Sequence, residues 1–260
     1  MNKFLMFFLI MMSYAFSQKK GIAYYGYTEF GATNKGVSLD YNSYLLFNKE
    51  LSYYVTCKDS LEKDEKKYKS QSVKSAKGGS FSSGMKVSAQ GDQVFTSLSK
   101  KTMWSNLYRI EMVYVKEPIA KQDWKITNEN KKFGKFICRK ATTTFRGRDY
   151  TAWFTPEIAV PFGPWKFNGL PGLILEVYDT NKDFYWFFKS VEYPTEYKEE
   201  ITFIKKSKGD KAINFLDLKE LEQFKIKQRE IQLDKNKILA KKFQGVYFQD
   251  QELSDMFVEF

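Results

Sequence analysis

Short runs in which apolar and polar positions alternate recur along this chain, and a period of two is the signature of half-buried strands. Residues 21–30, GIAYYGYTEF, form an aromatic strand. Tyr44–Phe47 and Leu51–Cys57 flank Asn48-Lys49-Glu50, which predicts a β-hairpin. Strands are predicted again over Gln93–Leu98 and Tyr108–Lys116, the latter with Ile110, Met112 and Tyr114 on one face and Pro118 as its stop. Trp124–Thr127 leads through a polar turn at Asn128–Lys131 into a strand over Lys135–Phe145. In that strand Phe136, Cys138, Lys140 and Thr142 should face one way, and Ile137, Arg139, Ala141 and Thr143 the other. Arg146-Gly147-Arg148-Asp149 reads as a tight turn and Tyr150–Thr155 as the returning strand. Leu173–Tyr178 and Phe184–Val191 about Asp179–Asp183 make a further hairpin.

Three stretches break this period. Residues 58–86 are rich in Lys, Ser and Gly and poor in apolar residues, so they read as a flexible loop. Residues 156–172 carry four Pro and three Gly, which predicts an ordered but irregular connection. From Asp217 the period becomes helical. Asp217-Leu218-Lys219-Glu220 fits a capping box, and Leu218, Leu221, Phe224 and Ile231 share a face, predicting a helix over 217–232. Many strands and one late helix place the chain in the β-rich α+β class, with an antiparallel sheet.

Residues 1–17 have the order of a secretory signal peptide: Lys3, an apolar run from Phe4 to Met12, then Ala15-Phe16-Ser17 as a small-x-small cleavage site. An N-terminal core strand is the other reading. The apolar run is too short to span a bilayer, and no later stretch is long and apolar enough to do so. The expected product, residues 18–260, is one β-rich domain, exported to the periplasm or secreted. Cys57 and Cys138 would then meet an oxidising compartment, where they could form a disulfide or remain two strand cysteines.

Composition narrows the chemistry. The chain has no His, which removes Ser-His-Asp triads, Cys-His pairs and His-based zinc sites. Aromatic residues are 18% of the total, enough to build a core or to wall a groove. The net charge of +11 favours acidic partners, but the lysines of 58–86 account for part of it, so no nucleic-acid partner is expected. No cofactor or metal is expected either. Asp179–Asp183 has the outline of a calcium loop, but Lys182 argues against one. Asp149, Glu157, Glu176 and Asp179 are the candidate acid–base groups; Asp149 and Glu157 would serve a carboxylate-dependent hydrolase.

The stretch Trp124–Asp179 resembles the GLPGLI family of exported proteins from Gram-negative bacteria. The hallmark is literal: Gly169-Leu170-Pro171-Gly172-Leu173-Ile174. Its flanks match too, in Trp124–Thr127, the strand from Gly134 through Cys138 and Lys140-Ala141, the Gly147-Arg148 turn, Ala152–Thr155, and Gly163-Pro164 with Phe167. Phe133 and Phe136 depart from the family's usual Gly-Tyr-Lys-Cys run. The resemblance implies an exported envelope protein, often encoded near TonB-dependent outer-membrane receptors, and carries no established activity. The strand order is also similar to a lipoprotein-carrier half-barrel, a curved sheet closed over an apolar groove by a helix.

Physically, Gly169 and Gly172 allow φ > 0 and Pro171 fixes φ, so the motif should aim the strand that follows and bury Leu170, Leu173 and Ile174. A functional version has Trp165 and Phe167 at the lip of a groove, gripping a peptide or a lipid chain. The expected role is a non-enzymatic periplasmic binding or accessory protein. Its partner would be an outer-membrane receptor or another envelope protein, with a hydrophobic or peptide ligand as a further option. The alternatives are the envelope hydrolase and a purely structural envelope protein.

Overall fold

A computed structural model describes residues 19–29, 39–56, 72–74, 80–82, 91–108, 112–198, 200–202 and 214–242. Residues 1–17, Cys57 and most of 58–86 lie outside the described residues. Fourteen strands and one helix are assigned among those described: β1 Gly21–Glu29, β2 Leu39–Phe47, β3 Leu51–Thr56, β4 Ser72–Lys74, β5 Ser80–Ser82, β6 Asp92–Ser97, β7 Thr102–Tyr108, β8 Met112–Pro118, β9 Lys125–Phe133, β10 Phe136–Phe145, β11 Arg148–Thr155, β12 Leu173–Asp179, β13 Phe184–Glu192, β14 Phe215–Leu216 and α1 Leu218–Lys242.

Twelve of the strands form one sheet in the order β14-β8-β7-β6-β3-β2-β1-β13-β12-β11-β10-β9; β4 and β5 pair separately. Every pairing in the large sheet is antiparallel except β14 with β8. The sheet is open, with its ends at β14 and β9. It is also strongly curled. β8 and β10 stand nine strands apart in the order, about 43 Å in a flat sheet. Yet Glu117 of β8 is ion-paired with Arg146 at the end of β10.

The hairpins at β2–β3, β10–β11 and β12–β13 agree with the sequence reading. Three points differ. The expected Tyr108–Lys116 run is divided between β7, which ends at Tyr108, and β8, which starts at Met112, and the two pair antiparallel; residues 109–111 lie outside the described residues. Asn128–Lys131 is part of β9; the turn lies at Gly134-Lys135, where Gly134 takes φ +54°. The alternation along β10 slips by one. Phe136 and Cys138 are buried, but so are Ala141, Thr143 and Phe145, because the register with β9 shifts between Arg139 and Ala141.

Both faces of the first half of the sheet are covered. Ala23, Tyr25, Leu45, Phe47, Tyr54, Val94 and Met103 belong to the main core, together with side chains of β10–β13. Ile22, Tyr44, Leu46, Tyr53, Val55, Phe95 and Trp104 face the other way, under Tyr197, Ile201 and Phe215. Such two-sided burial suits the nearly continuous apolar runs in β1–β3.

The main core is filled by the Pro/Gly connection. Ile158, Val160, Phe162, Trp165, Phe167 and Leu170 are all buried in it. The helix does not close this interior. α1 packs through Leu221 on Val113 and Val115 at the β8 end of the sheet, on the same face as Met103. Its capping box is formed: Glu220 N–H donates to Asp217 Oδ1 at 2.8 Å and Asp217 N–H to Glu220 Oε2 at 2.9 Å. The helix continues to Lys242, ten residues past the expected end, although Ile226 and Ile238 stay exposed. No Gly or Pro interrupts 218–242, and its many Lys, Glu and Gln residues are good helix formers.

The two motif glycines do different jobs. Gly169 takes φ +91°, a conformation that suits glycine alone. Gly172 is needed for space: a Cβ there would stand 2.2 Å from the Thr155 carbonyl oxygen. Gly169→Ala should therefore cost about 1–2 kcal/mol of strain. Gly172→Ala should cost more, since backbone must move at the β11–β12 junction. Urea unfolding of the two variants checks that order.

Candidate functional site

The motif region is built from the inside. Leu173 N–H donates to Ile158 O at 2.9 Å and Ile174 N–H to Phe162 O at 2.9 Å, so the connection folds back along the start of β12. Gly169 N–H donates to Pro161 O at 3.0 Å. Residues 119–124 hold the other side. Gln122 Nε2 donates to Lys166 O at 2.9 Å, its Oε1 accepts Asn168 N–H, and Trp124 Nε1–H donates to Asn168 O at 2.8 Å. From β1, the Tyr25 hydroxyl donates to Ile174 O at 2.7 Å. An irregular segment can be buried only if its backbone groups find partners, and these bonds supply them.

Leu170, Leu173 and Ile174 are buried, as the sequence predicts; Gly169 and Pro171 are exposed. Trp165 and Phe167 are not at the lip of a groove. Trp165 stacks on Trp186 at 5.9 Å with an interplanar angle of 13°, and Phe167 meets Tyr150 edge-on at 4.8 Å. Trp165 does so at φ +52°, a sparsely populated conformation for a bulky residue. Packing on Phe145, Phe167 and Trp186 holds it there.

Lys166, between these two aromatics in sequence, is also fully buried. Its Nζ donates to Glu117 Oε1, while Arg146 donates to Glu117 Oε2. The Glu117 side chain is 1% exposed. Two cations on one desolvated carboxylate tie the connection and the β10–β11 turn to β8. Sequence reasoning passed over Glu117 and Lys166, because a charged residue beside Pro118 or inside an aromatic run has no periodic pattern to mark it. The only available hint was Lys166 standing alone within the apolar Trp165–Phe167 stretch.

The candidate acid–base groups are dispersed and engaged. Asp149 stands at the start of β11 and Glu157 beyond its end, eight residues on, which is about 26 Å along a strand. A glycosidase pair needs about 5–10 Å. Asp149 accepts the Thr144 hydroxyl at 2.6 Å and Glu157 accepts Ile137 N–H at 3.0 Å. Glu176 accepts from Lys131 at 2.9 Å and from the Tyr185 hydroxyl at 3.1 Å. Asp179 accepts Phe184 N–H at 3.0 Å and pairs with Arg148 at 3.4 Å. Burial outweighs those two contacts and pushes the Asp179 carboxyl above its ordinary range. Among the described residues no group of three or more His, Cys, Asp or Glu gathers to hold a metal. No described helix is long and apolar enough to cross a membrane.

Cys138 is a free, buried thiol, while Cys57 lies outside the described residues. Burial, with the nearby Glu157 and Glu176 charges, pushes the Cys138 thiol up to about 12. It is therefore no nucleophile at neutral pH.

Residues 145–176 match a family model described as a protein of unknown function (Porph_ging). The match covers the end of β10, all of β11, the connection and the first part of β12. No curated protein matches the chain. Two solved structures are similar: PNGF-II in space group P21, at 16% identity and TM-score 0.47 over 79% of this chain, and PNGF-II in space group C2, at 17% identity and TM-score 0.47 over 80%. The chain covers 32% of the length of each.

Two outcomes follow from the buried groups. Glu117→Gln should destabilise the fold by about 3–5 kcal/mol, because the Glu117 charge that Lys166 and Arg146 share is removed from a dry interior; chemical denaturation of the variant measures this. Cys138 should resist iodoacetamide at pH 8 in the folded protein and react once the chain is unfolded without reductant. Mass spectrometry of the alkylated peptide reads the result.

Proposed function

We propose that this chain is a GLPGLI-type protein of the bacterial envelope, exported to the periplasm, where it acts as a non-enzymatic binding or accessory protein for a TonB-dependent outer-membrane transporter. The observation that carries this reading is that the candidate reactive side chains of the motif region are already engaged within the fold. Asp149, Glu157, Glu176 and Asp179 each hold a neighbouring strand or turn, and Trp165 and Phe167 pack in the core. Among the described residues, what remains for function is the outside of the sheet. The signal-peptide order of residues 1–17 and the resemblance over Trp124–Asp179 support the envelope location.

A protein partner suits the geometry better than a lipid-like ligand. The main core of the curled sheet, where a carrier would hold an acyl chain, is occupied by the chain's own 158–170 segment. The hydrolase alternative loses its Asp149–Glu157 pair to distance.

Affinity capture with the tagged mature chain on envelope extract, with proteins and lipids identified by mass spectrometry, tests the proposal. Enrichment of an outer-membrane receptor is the expected outcome. Recovery of neither receptor nor other envelope protein, or turnover of a cell-wall glycan by the purified chain, would overturn it.

A further inference from the structure

The β9–β10 hairpin ends the sheet, and its charge is lopsided. Residues 125–145 contain Lys125, Lys131, Lys132, Lys135, Arg139 and Lys140 against a single carboxylate, Glu129. That is +5 of the chain's +11 in 21 residues. Two of these cations are used internally, Lys131 with Glu176 and Lys140 with Glu129. Lys125, Lys132, Lys135 and Arg139 are exposed and form no ion pair among the described residues.

β9 is also a free edge. It pairs with β10 on one side and with no described strand on the other. In an antiparallel pair every second residue points its N–H and C=O away from its neighbour, so β9 offers a row of unused backbone groups. A bulge splits that row. Between Ile126 and Asn130 the register shifts, and local bonds occupy the bulge: Glu129 N–H to Thr127 Oγ1, Asn130 Nδ2 to Asn128 O, and Arg139 to Thr127 O. The regular run beyond it is Asn130–Phe133.

The side chains beside that run have a definite character. Lys132 pairs across to Ile137, and Asn130 to Arg139. Ile137 is 61% exposed, among the most exposed large apolar side chains described. One outward face thus presents Lys132 and Arg139 with Ile137 between them.

We propose that the Asn130–Phe133 edge of β9 docks an extended acidic segment of a protein partner as an added strand. This rests on the binding role proposed above and names the surface that performs it. The edge supplies backbone hydrogen bonds; Lys132 and Arg139 select carboxylates on one face of the incoming strand; Ile137 takes an apolar contact. A second copy of this chain is a poor occupant. Antiparallel pairing of two Asn130–Phe133 runs places Lys131 and Lys132 of one against Lys132 and Lys131 of the other, and like charges opposite each other repel. The lysines that keep the edge from pairing with itself are the same ones that attract an acidic strand.

Synthetic peptides test this on the intact purified chain. An eight-residue peptide alternating Glu and Val places all its Glu on one face of a strand. It should bind, as read by fluorescence anisotropy, and its affinity should fall as salt is raised. N-methylating the backbone nitrogens of its two central Glu, whose N–H groups face β9 when Glu stands opposite Lys132, removes two backbone donors and keeps every charge; binding should drop at least roughly tenfold, a loss of about 1.4 kcal/mol. The double variant Lys132→Glu, Arg139→Glu, both exposed, should lose the acidic peptide and gain its Lys/Val counterpart. Circular dichroism of that variant confirms that it is folded.

Equal binding of the N-methylated peptide would overturn the proposal and leave a patch for polyanions. So would binding of dextran sulfate that competes with the acidic peptide while N-methylation has no effect. Because the peptides are synthetic, their failure alongside capture of a receptor from envelope extract sinks the edge and leaves the binding role standing.

Discussion

The Glu117 carboxylate, buried between Lys166 and Arg146, is the contact on which this fold turns. Its three members come from β8, from the Pro/Gly connection and from the β10–β11 turn. In the strand order these are near opposite ends of an open sheet. Hydrophobic burial alone would press the aromatic connection against the sheet without fixing where it stops. Charges in a dry interior are intolerant of misplacement, so they select one register of the curl. Tyr25 on Ile174 O and Gln122 on the 166–168 backbone add uncharged versions of the same constraint.

The curl and its filling explain one another. A twelve-strand sheet exposes a broad apolar face, and an irregular segment is normally a poor cover because its polar backbone resists burial. Here the segment is short of free backbone groups. Pro161 and Pro164 have no N–H to satisfy, and Phe162 pairs as an isolated bridge with Asn168. The stacked Trp165 and Trp186 rings then fill the interior of the curl.

Much of this was legible in the sequence and some was not, for identifiable reasons. Hairpins with strong alternation and clear turns, such as β2–β3 and β12–β13, appear where periodicity puts them. The capping box at Asp217 fixed the start of α1, but its extent past 232 could not be read, since no glycine or proline lies within 218–242 to mark a stop. Asn128-Glu129-Asn130 has turn composition and sits in a strand, because a bulge at a sheet edge tolerates those residues as well as a turn does. The burial of Leu170, Leu173 and Ile174 followed from their type. The roles of Trp165 and Phe167 did not, since an aromatic residue in a core and one lining a groove look identical until the volume in front of it is known. Glu117 and Lys166 are long-range partners, 49 positions apart, and no local pattern announces such a pair.

The place of the connection in the chain sets an order of events. It lies at 156–172, yet the main core it completes includes residues of β1, β2, β3, β6 and β7. Within the first 118 residues β2, β3, β6 and β7 have both hydrogen-bond neighbours, while β1 still lacks β13 and one apolar face has no cover. That face waits for a piece of polypeptide made later, and until it arrives the half-made molecule is adhesive. The core is therefore closed last, by the connection and by Leu175, Val177, Phe184 and Trp186 of the strands that follow it.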